Sequence, residues 1–154
     1  MALGKTFYLL KNAELQAGEL YALIGLNVAI VNPELSDLFN DLAKEEELHA
    51  KQIEMLRNLF LQSEDAFLEN PETEKMIAEF IRNLETATDY FNQHQAQMQP
   101  RDLIDLALGL ERNLIEKHRL FFMKAADPQI KNLLENLNLA DLSHVRKLED
   151  FQPV

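Results

Sequence analysis

An all-α four-helix bundle is the fold that the sequence predicts, on three observations. In four separate stretches, apolar residues recur at alternating steps of three and four, the spacing of one face of an amphipathic helix. Short links join these stretches in two pairs, as in antiparallel helical hairpins. Four Gly and five Pro among 154 residues leave little turn chemistry for an all-β fold. We therefore expect a single domain over residues 1–154.

The first helical hairpin is predicted at about residues 3–61. The apolar spacing of its first helix runs from Leu3 to Val31 and stops at Asn32-Pro33. Asn is a good N-cap, and Pro fits the first turn of the helix that follows, because its missing N–H would have no partner there. The second helix continues the same spacing to the end of the hairpin.

A long connection at about residues 62–99 follows the first hairpin. An apolar pattern after Asn70-Pro71 indicates at least one further helix in it. A helix of about 25 residues spans on the order of 37 Å, enough to return along the bundle, so we interpret this segment as a crossover. The second hairpin is predicted at about residues 100–151, with Pro100 and Asp127-Pro128 at the starts of its helices.

The two hairpins resemble each other in sequence. Similar residues recur at an offset of 95 in the second helix of each hairpin, and of 97 in the first helix. The pairs are Asn32 and Asp127, Leu42 and Leu137, Glu46 and Asp141, His49 and His144, Glu14 and Glu111, and Tyr21 and His118. The sequence therefore indicates a duplicated helical hairpin.

Six ionisable side chains occupy positions that the apolar spacing assigns to the core. They are Glu14, Glu46, His49, Glu111, Asp141 and His144. Burying four carboxylates that repel one another is unfavourable unless something compensates for their charge. Counted along the helices from the hairpin turns, all six lie within about one helical turn of the same level. Two divalent cations would neutralise the four carboxylates.

The donor set is specific. One Glu comes from each of two helices, and an acid-x-x-His pair comes from each of the other two. The spacing of three residues puts an oxygen and an imidazole nitrogen on the same helix face. A single Glu-x-x-His arises often by chance, but two such pairs in register with two core Glu indicate a metal site. A buried network without metal is the alternative interpretation.

This pattern resembles the ferritin-like di-iron carboxylate proteins and, among them, the rubrerythrin group. The resemblance covers most of the chain and is clearest in two stretches. They are Asn32-Pro-Glu-Leu through Ala43-Lys-Glu-Glu-Glu-Leu-His-Ala, and Asp127-Pro-Gln-Ile through Asp141-Leu-Ser-His. It implies a ferritin-like four-helix bundle that holds two iron ions, with manganese or another divalent metal as alternatives. The implied ligands are the single residues Glu14 and Glu111 and the pairs Glu46 with His49 and Asp141 with His144.

The resemblance also implies an oxidoreductase that reduces peroxide or dioxygen, and a homodimer. The chain has no Cys, so we expect electrons from a separate donor protein. An iron-oxidising or iron-storing protein, or a helical interaction module without metal, are the alternatives. The net charge of −11 disfavours binding to nucleic acid or to an anionic membrane. We find no membrane-spanning apolar run and no leader, and expect a cytoplasmic protein.

Two further residues are candidates for a functional role. Tyr21 matches a tyrosine that hydrogen-bonds a ligand carboxylate in the family, and a core aromatic residue is the alternative. His118 has three interpretations: an extra metal ligand, a proton relay or a core histidine.

Four other positions carry expectations from the sequence. Asp141 stands where the family usually has Glu and is shorter by one methylene, so we expect a bridging position there to be strained or lost. Glu45 and Glu47 flank a candidate ligand and are expected to face water. Gly18 lies one turn after Glu14. It either leaves room for dioxygen or peroxide or permits close helix packing.

Overall fold

The structure is a computed structural model that describes the backbone of residues 2–62, 71–122 and 128–151. Within these ranges the chain forms α-helices and no strands, which confirms the all-α prediction. The helices are α1 (Ala2–Val28), α2 (Pro33–Gln62), α3 (Pro71–His94), α4 (Pro100–Phe122) and α5 (Pro128–Asp150).

The starts of the helices follow the local sequence. Proline is the first residue of α2, α3, α4 and α5, a position where the missing N–H costs no hydrogen bond. Asn32 caps α2, because its Oδ1 accepts a hydrogen bond from the Leu35 N–H at 3.1 Å. At the start of α4, the Gln99 N–H donates to Asp102 Oδ2 at 2.8 Å, so a side chain reaches back to the preceding backbone. The predicted cap Asp127 lies outside the described residues.

The helices pack as two hairpins, α1 with α2 and α4 with α5, and the hairpins meet along α2 and α5. The predicted crossover is the helix α3, which packs against both α1 and α4. Its residues Phe80, Leu84 and Phe91 are buried in the same cluster as the apolar side chains of the two hairpins. The crossover is therefore part of the core as well as a connection; its residues 63–70 lie outside the described part of the chain.

One hydrophobic cluster contains side chains from all five helices. Its large aromatic members include Tyr21, Phe39, Phe80 and Phe91, each less than 2% exposed. The rings of Tyr21 and Phe39 lie 5.8 Å apart between centroids, in a tilted arrangement. None of the helices in the described ranges is long and apolar enough to cross a membrane.

The helices α1 and α2 approach each other closely at Gly18. A Cβ atom at this position would lie 3.3 Å from the Ala43 carbonyl oxygen and 3.3 Å from Glu46 Cβ. These distances are shorter than ordinary contacts between carbon and neighbouring heavy atoms. Of the two interpretations of Gly18, the structure favours close helix packing, and this packing sets the distance between α1 and the backbone that carries Glu46.

Candidate metal centre

The structure brings all six predicted ligands together in one buried layer of the bundle. Each is at most 3% exposed. The helices of the two hairpins supply them in the predicted way: a single Glu from α1 and from α4, and an acid with a His from α2 and from α5. The residues are Glu14, Glu46, His49, Glu111, Asp141 and His144.

The ligand atoms form three overlapping groups, in each of which all atoms lie within 4.8 Å of one another. The groups are Glu14 with His49 and Asp141, Glu111 with Asp141 and His144, and Glu46 with both histidines. Asp141 thus belongs to a group on each side of the layer. Although its side chain is short, it still places oxygen close to the candidate ligands of both hairpins.

The Nδ1 atom of His49 faces three carboxylates. It lies 3.3 Å from Glu46 Oε2, 3.6 Å from Asp141 Oδ1 and 3.9 Å from Glu14 Oε2. Despite this proximity it has no hydrogen-bond partner. An imidazole nitrogen surrounded by carboxylate oxygens at these distances has the donor arrangement of a metal ligand.

His144 is oriented in the same way. Its Nδ1 lies 3.0 Å from Glu46 Oε1 and 3.4 Å from Glu111 Oε2. The two imidazole rings stack with centroids 5.1 Å apart and an interplanar angle of 18°. Both histidines therefore present Nδ1 to the carboxylate layer, which leaves Nε2 on the opposite side of each ring.

Several polar atoms of this layer have no hydrogen-bond partner within the protein. Both carboxylate oxygens of Glu46 and the Nδ1 of His49 are buried without a hydrogen-bond partner. Buried polar atoms in folded proteins normally have such partners. Carboxylate oxygens and imidazole nitrogens from facing helices are donors that iron, manganese and similar divalent ions accept. The residues present therefore fit a di-metal site.

The electrostatics of the layer reflect its crowded charges. Burial raises the pKa of Glu111 to about 7, and repulsion from Glu46 adds to this effect. Burial and the neighbouring Glu14 also raise the pKa of Glu46. Burial opposes protonation of the histidines, but adjacent carboxylates outweigh it and raise the pKa of His49 to about 10 and of His144 to about 11. Without metal, protons balance part of the negative charge.

Tyr21 lies beside the layer as a hydrogen-bond donor. Its hydroxyl donates to Glu111 Oε1 at 2.7 Å, and both side chains are fully buried. Burial, together with repulsion from Glu111 and Glu46, raises the pKa of Tyr21 well above its usual value, so the hydroxyl keeps its proton. This contact is the one that the resemblance implied. The side chain of His118 lies outside the described residues.

The expectation that Glu45 faces water holds only in part. Its side chain is 36% exposed and lies between α2 and α5. One oxygen, Oε2, is 2.5 Å from His144 Nε2, and the other, Oε1, is 2.5 Å from Lys147 Nζ. Burial opposes the effect, but Lys147 and His144 together lower the pKa of Glu45. Glu47 is exposed as expected and pairs with Lys51 on its own helix.

A helical bundle with a buried layer of carboxylates and histidines defines the class: a ferritin-like protein with a candidate di-metal site. The sequence matches the rubrerythrin family over residues 11–152, a range that contains all six candidate ligands. The chain therefore belongs to the rubrerythrin family. Comparison with curated proteins and with solved structures gives no significant match.

Proposed function

We propose that this protein is a di-iron oxidoreductase that reduces peroxide or dioxygen at the buried layer. The observation that carries the proposal is the set of three overlapping donor groups, two of which share Asp141. Membership of the rubrerythrin family supports it. Manganese or another divalent ion is the alternative metal, because oxygen-rich sites accept several.

The groups suggest how the ligands divide between two ions. Glu14 and His49 would hold one ion and Glu111 and His144 the other, with Asp141 shared between them. Glu46 has one oxygen near each histidine Nδ1, at 3.3 and 3.0 Å, and would be shared as well. Two ferrous ions, each giving up one electron, would supply the two electrons that reduce one hydrogen peroxide molecule, with uptake of two protons, to two water molecules.

The surrounding residues orient the ligands and exclude bulk water. Tyr21 holds Glu111 through its hydroxyl, which leaves the other oxygen, Oε2, directed at His144. The six candidate ligands are at most 3% exposed, which strengthens the electrostatic interactions inside the layer. The 154 residues contain no Cys. We therefore propose that electrons come from a separate donor protein.

The test begins with anaerobic loading of the protein with ferrous iron and analysis of the metal content. We expect two iron ions per chain, and less than half an equivalent would overturn the proposal. The loaded protein is then mixed with peroxide or with dioxygen in a stopped-flow instrument. Oxidation of two irons for each peroxide consumed supports the peroxidase reaction. Oxidation by dioxygen without any consumption of added peroxide would instead indicate an iron-oxidising protein.

A further inference from the structure

The two histidines of the layer have different surroundings on their outer sides. His144 Nε2 lies 2.5 Å from Glu45 Oε2, and Glu45 Oε1 lies 2.5 Å from Lys147 Nζ. These three side chains connect α2 to α5 in one line, from a fully buried imidazole through a half-buried carboxylate to a lysine that is 39% exposed. Because Lys147 takes one oxygen of Glu45, the other is held in place against His144.

The internal repeat does not supply the same two residues on the His49 side. At the offset of 95 residues that relates His49 to His144, the counterpart of Glu45 is Ala140 and the counterpart of Lys147 is Gln52. Ala140 and Gln52 both line a cavity of about 270 Å³ between α2 and α5, and His49 lines it too. A methyl group and an amide thus occupy the positions where the other half has a carboxylate and an ammonium group.

The chemistry of a ligand histidine gives this difference a consequence. An imidazole that binds a metal through Nδ1 carries its proton on Nε2, and an acceptor at Nε2 selects that tautomer and fixes the ring orientation. Removing such a partner typically lowers metal affinity by about 10- to 100-fold. Glu45 is placed to be this acceptor for His144, whereas the repeat supplies no carboxylate for His49.

We propose that Glu45, held by Lys147, is a positioning residue that orients His144 for metal binding through Nδ1, and that the missing counterpart at Ala140 makes the His49 position the weaker of the two. The inference rests on the proposed di-metal site. The contact between Glu45 and His144 lies outside the set of metal ligands, and it would make the two metal positions of the duplicated site unequal in affinity.

The first test uses the full chain loaded with Zn²⁺, which is diamagnetic and allows NMR of the imidazole nitrogens. We expect one slowly exchanging Nε2–H, from His144, and two binding steps of unequal affinity by calorimetry. Glu45→Ala should speed the exchange and weaken the tighter step by about 10- to 100-fold. Glu45→Gln keeps an acceptor oxygen and should restore most of the slow exchange.

The matched control is Glu47→Ala, which removes an equal charge two residues away, from an exposed pair with Lys51. It should leave both binding steps and the exchange rate unchanged. If Glu45→Ala behaves like Glu47→Ala in both measurements, the positioning role is overturned while the di-metal site stands. If the wild-type protein binds no zinc at all, the di-metal site itself is overturned, and the positioning role that rests on it falls with it.

The second test builds the missing contact in the other half. The double variant Ala140→Glu with Gln52→Lys places a carboxylate and an ammonium group at the positions equivalent to Glu45 and Lys147. We expect a second slowly exchanging imidazole N–H, from His49, and a tighter weak step. A double variant that folds, binds zinc as the wild type does and shows no second slow N–H would overturn the proposed origin of the asymmetry.

Discussion

At the scale of single residues, the length of an acidic side chain decides which candidate ligands on neighbouring helices its carboxylate can approach. Asp141 is one methylene shorter than the Glu at the equivalent position 46, which led us to expect a strained bridge. In the structure it is fully buried, and its carboxylate places oxygen within 4.8 Å of candidate ligand atoms in a group on each side of the layer. The backbone of α5 thus lies near enough to the layer for the shorter acid to reach.

This geometry predicts the outcome of lengthening that side chain. Asp141→Glu adds a methylene to a fully buried position, and overpacking of a buried position costs about 1–3 kcal/mol of stability. We expect the metal-free variant to unfold at lower urea concentration and to bind ferrous iron no more tightly than the wild type. Glu46→Ala, for comparison, should weaken both metal positions. A clear gain in affinity for Asp141→Glu in anaerobic calorimetry would instead support the interpretation of a strained bridge.

The hydroxyl of Tyr21 gives a second prediction at this scale. It donates to Glu111, whose pKa lies at about 7. A hydrogen bond to a charged group contributes about 1.5–3 kcal/mol, and one to a neutral group about 1 kcal/mol. Tyr21→Phe should therefore destabilise the metal-free protein more at pH 8, where Glu111 is ionised, than at pH 6.

Urea unfolding at the two pH values measures this difference. The control is Tyr8→Phe, which removes a hydroxyl from a ring that is 53% exposed and should have little effect at either pH. Equal destabilisation by Tyr21→Phe at pH 6 and pH 8 would contradict the assignment of its hydroxyl to the titrating carboxylate of Glu111.

At the scale of helices, the sequence predicted what depends on a single helix and its ends. The starts at Pro33 and Pro100 follow from local chemistry, and the apolar spacing placed six polar residues in the core. Other features depend on the approach of a second helix. Glu45 lies on the flank of α2, and the neighbouring α5, with His144 and Lys147, makes that flank partly buried.

The role of α3 was also beyond the sequence pattern. Its spacing indicated a helix, but a hydrophobic stripe does not specify which helices it packs against. In the structure Phe80 and Phe91 are buried in the core shared with α1 and α4. The helix therefore contributes side chains to the hydrophobic core as well as connecting the two hairpins. Which helices α3 packs against depends on the packing of several helices together, and the spacing within one helix does not specify it.

Two glycines within helices give a matched prediction at this scale. A Cβ at Gly109 in α4 would meet no atom within 4 Å, whereas one at Gly18 would lie 3.3 Å from Ala43 O and Glu46 Cβ. Ala is more favourable than Gly in a helix interior by about 0.5–1 kcal/mol. Gly109→Ala should stabilise the protein by about that amount in urea unfolding.

Gly18→Ala should lose this gain, because the α1 and α2 backbones must separate by a few tenths of an ångström to admit the methyl group. The movement also shifts Glu46, so we expect weaker ferrous iron binding in this variant and none of that effect in Gly109→Ala. Equal stabilisation by both substitutions, with unchanged metal affinity, would show that the helices do not constrain each other at Gly18.

At the scale of the whole molecule, the buried layer couples folding to pH. The metal-free folded protein keeps a proton on Glu111 up to a pKa of about 7, whereas an unfolded chain releases it near 4.5. His49 and His144, with pKa values of about 10 and 11, likewise hold protons that free histidines release near 6.5. The folded state therefore binds more protons than the unfolded state from mildly acidic to alkaline pH.

The sign of the effect follows from this proton uptake. The free energy of unfolding decreases with rising pH wherever the folded state binds more protons, so metal-free protein should lose stability from about pH 4.5 upward. For Glu111 alone, the difference between 4.5 and about 7 corresponds to on the order of 3 kcal/mol. Divalent ions take over the neutralisation and bind better as protons leave. Metal-loaded protein should therefore keep its stability, and the gap between the two forms should widen with pH.

Urea unfolding of the chelator-treated and the manganese-loaded protein at several pH values from 5 to 9 measures both curves. Manganese avoids oxidation during the experiment and is acceptable to an oxygen-rich site.

The matched variant is Glu111→Gln, which removes the titrating carboxyl. It should flatten the metal-free curve between pH 5 and 7 and leave the contribution of the histidines above that range. If the metal-free wild type showed a flat curve across the whole range, the six side chains would not form a coupled cluster in solution. A curve that falls equally steeply in Glu111→Gln would assign the titration to a different carboxylate, and Glu46, whose pKa is also raised by burial and by Glu14, is then the residue to substitute.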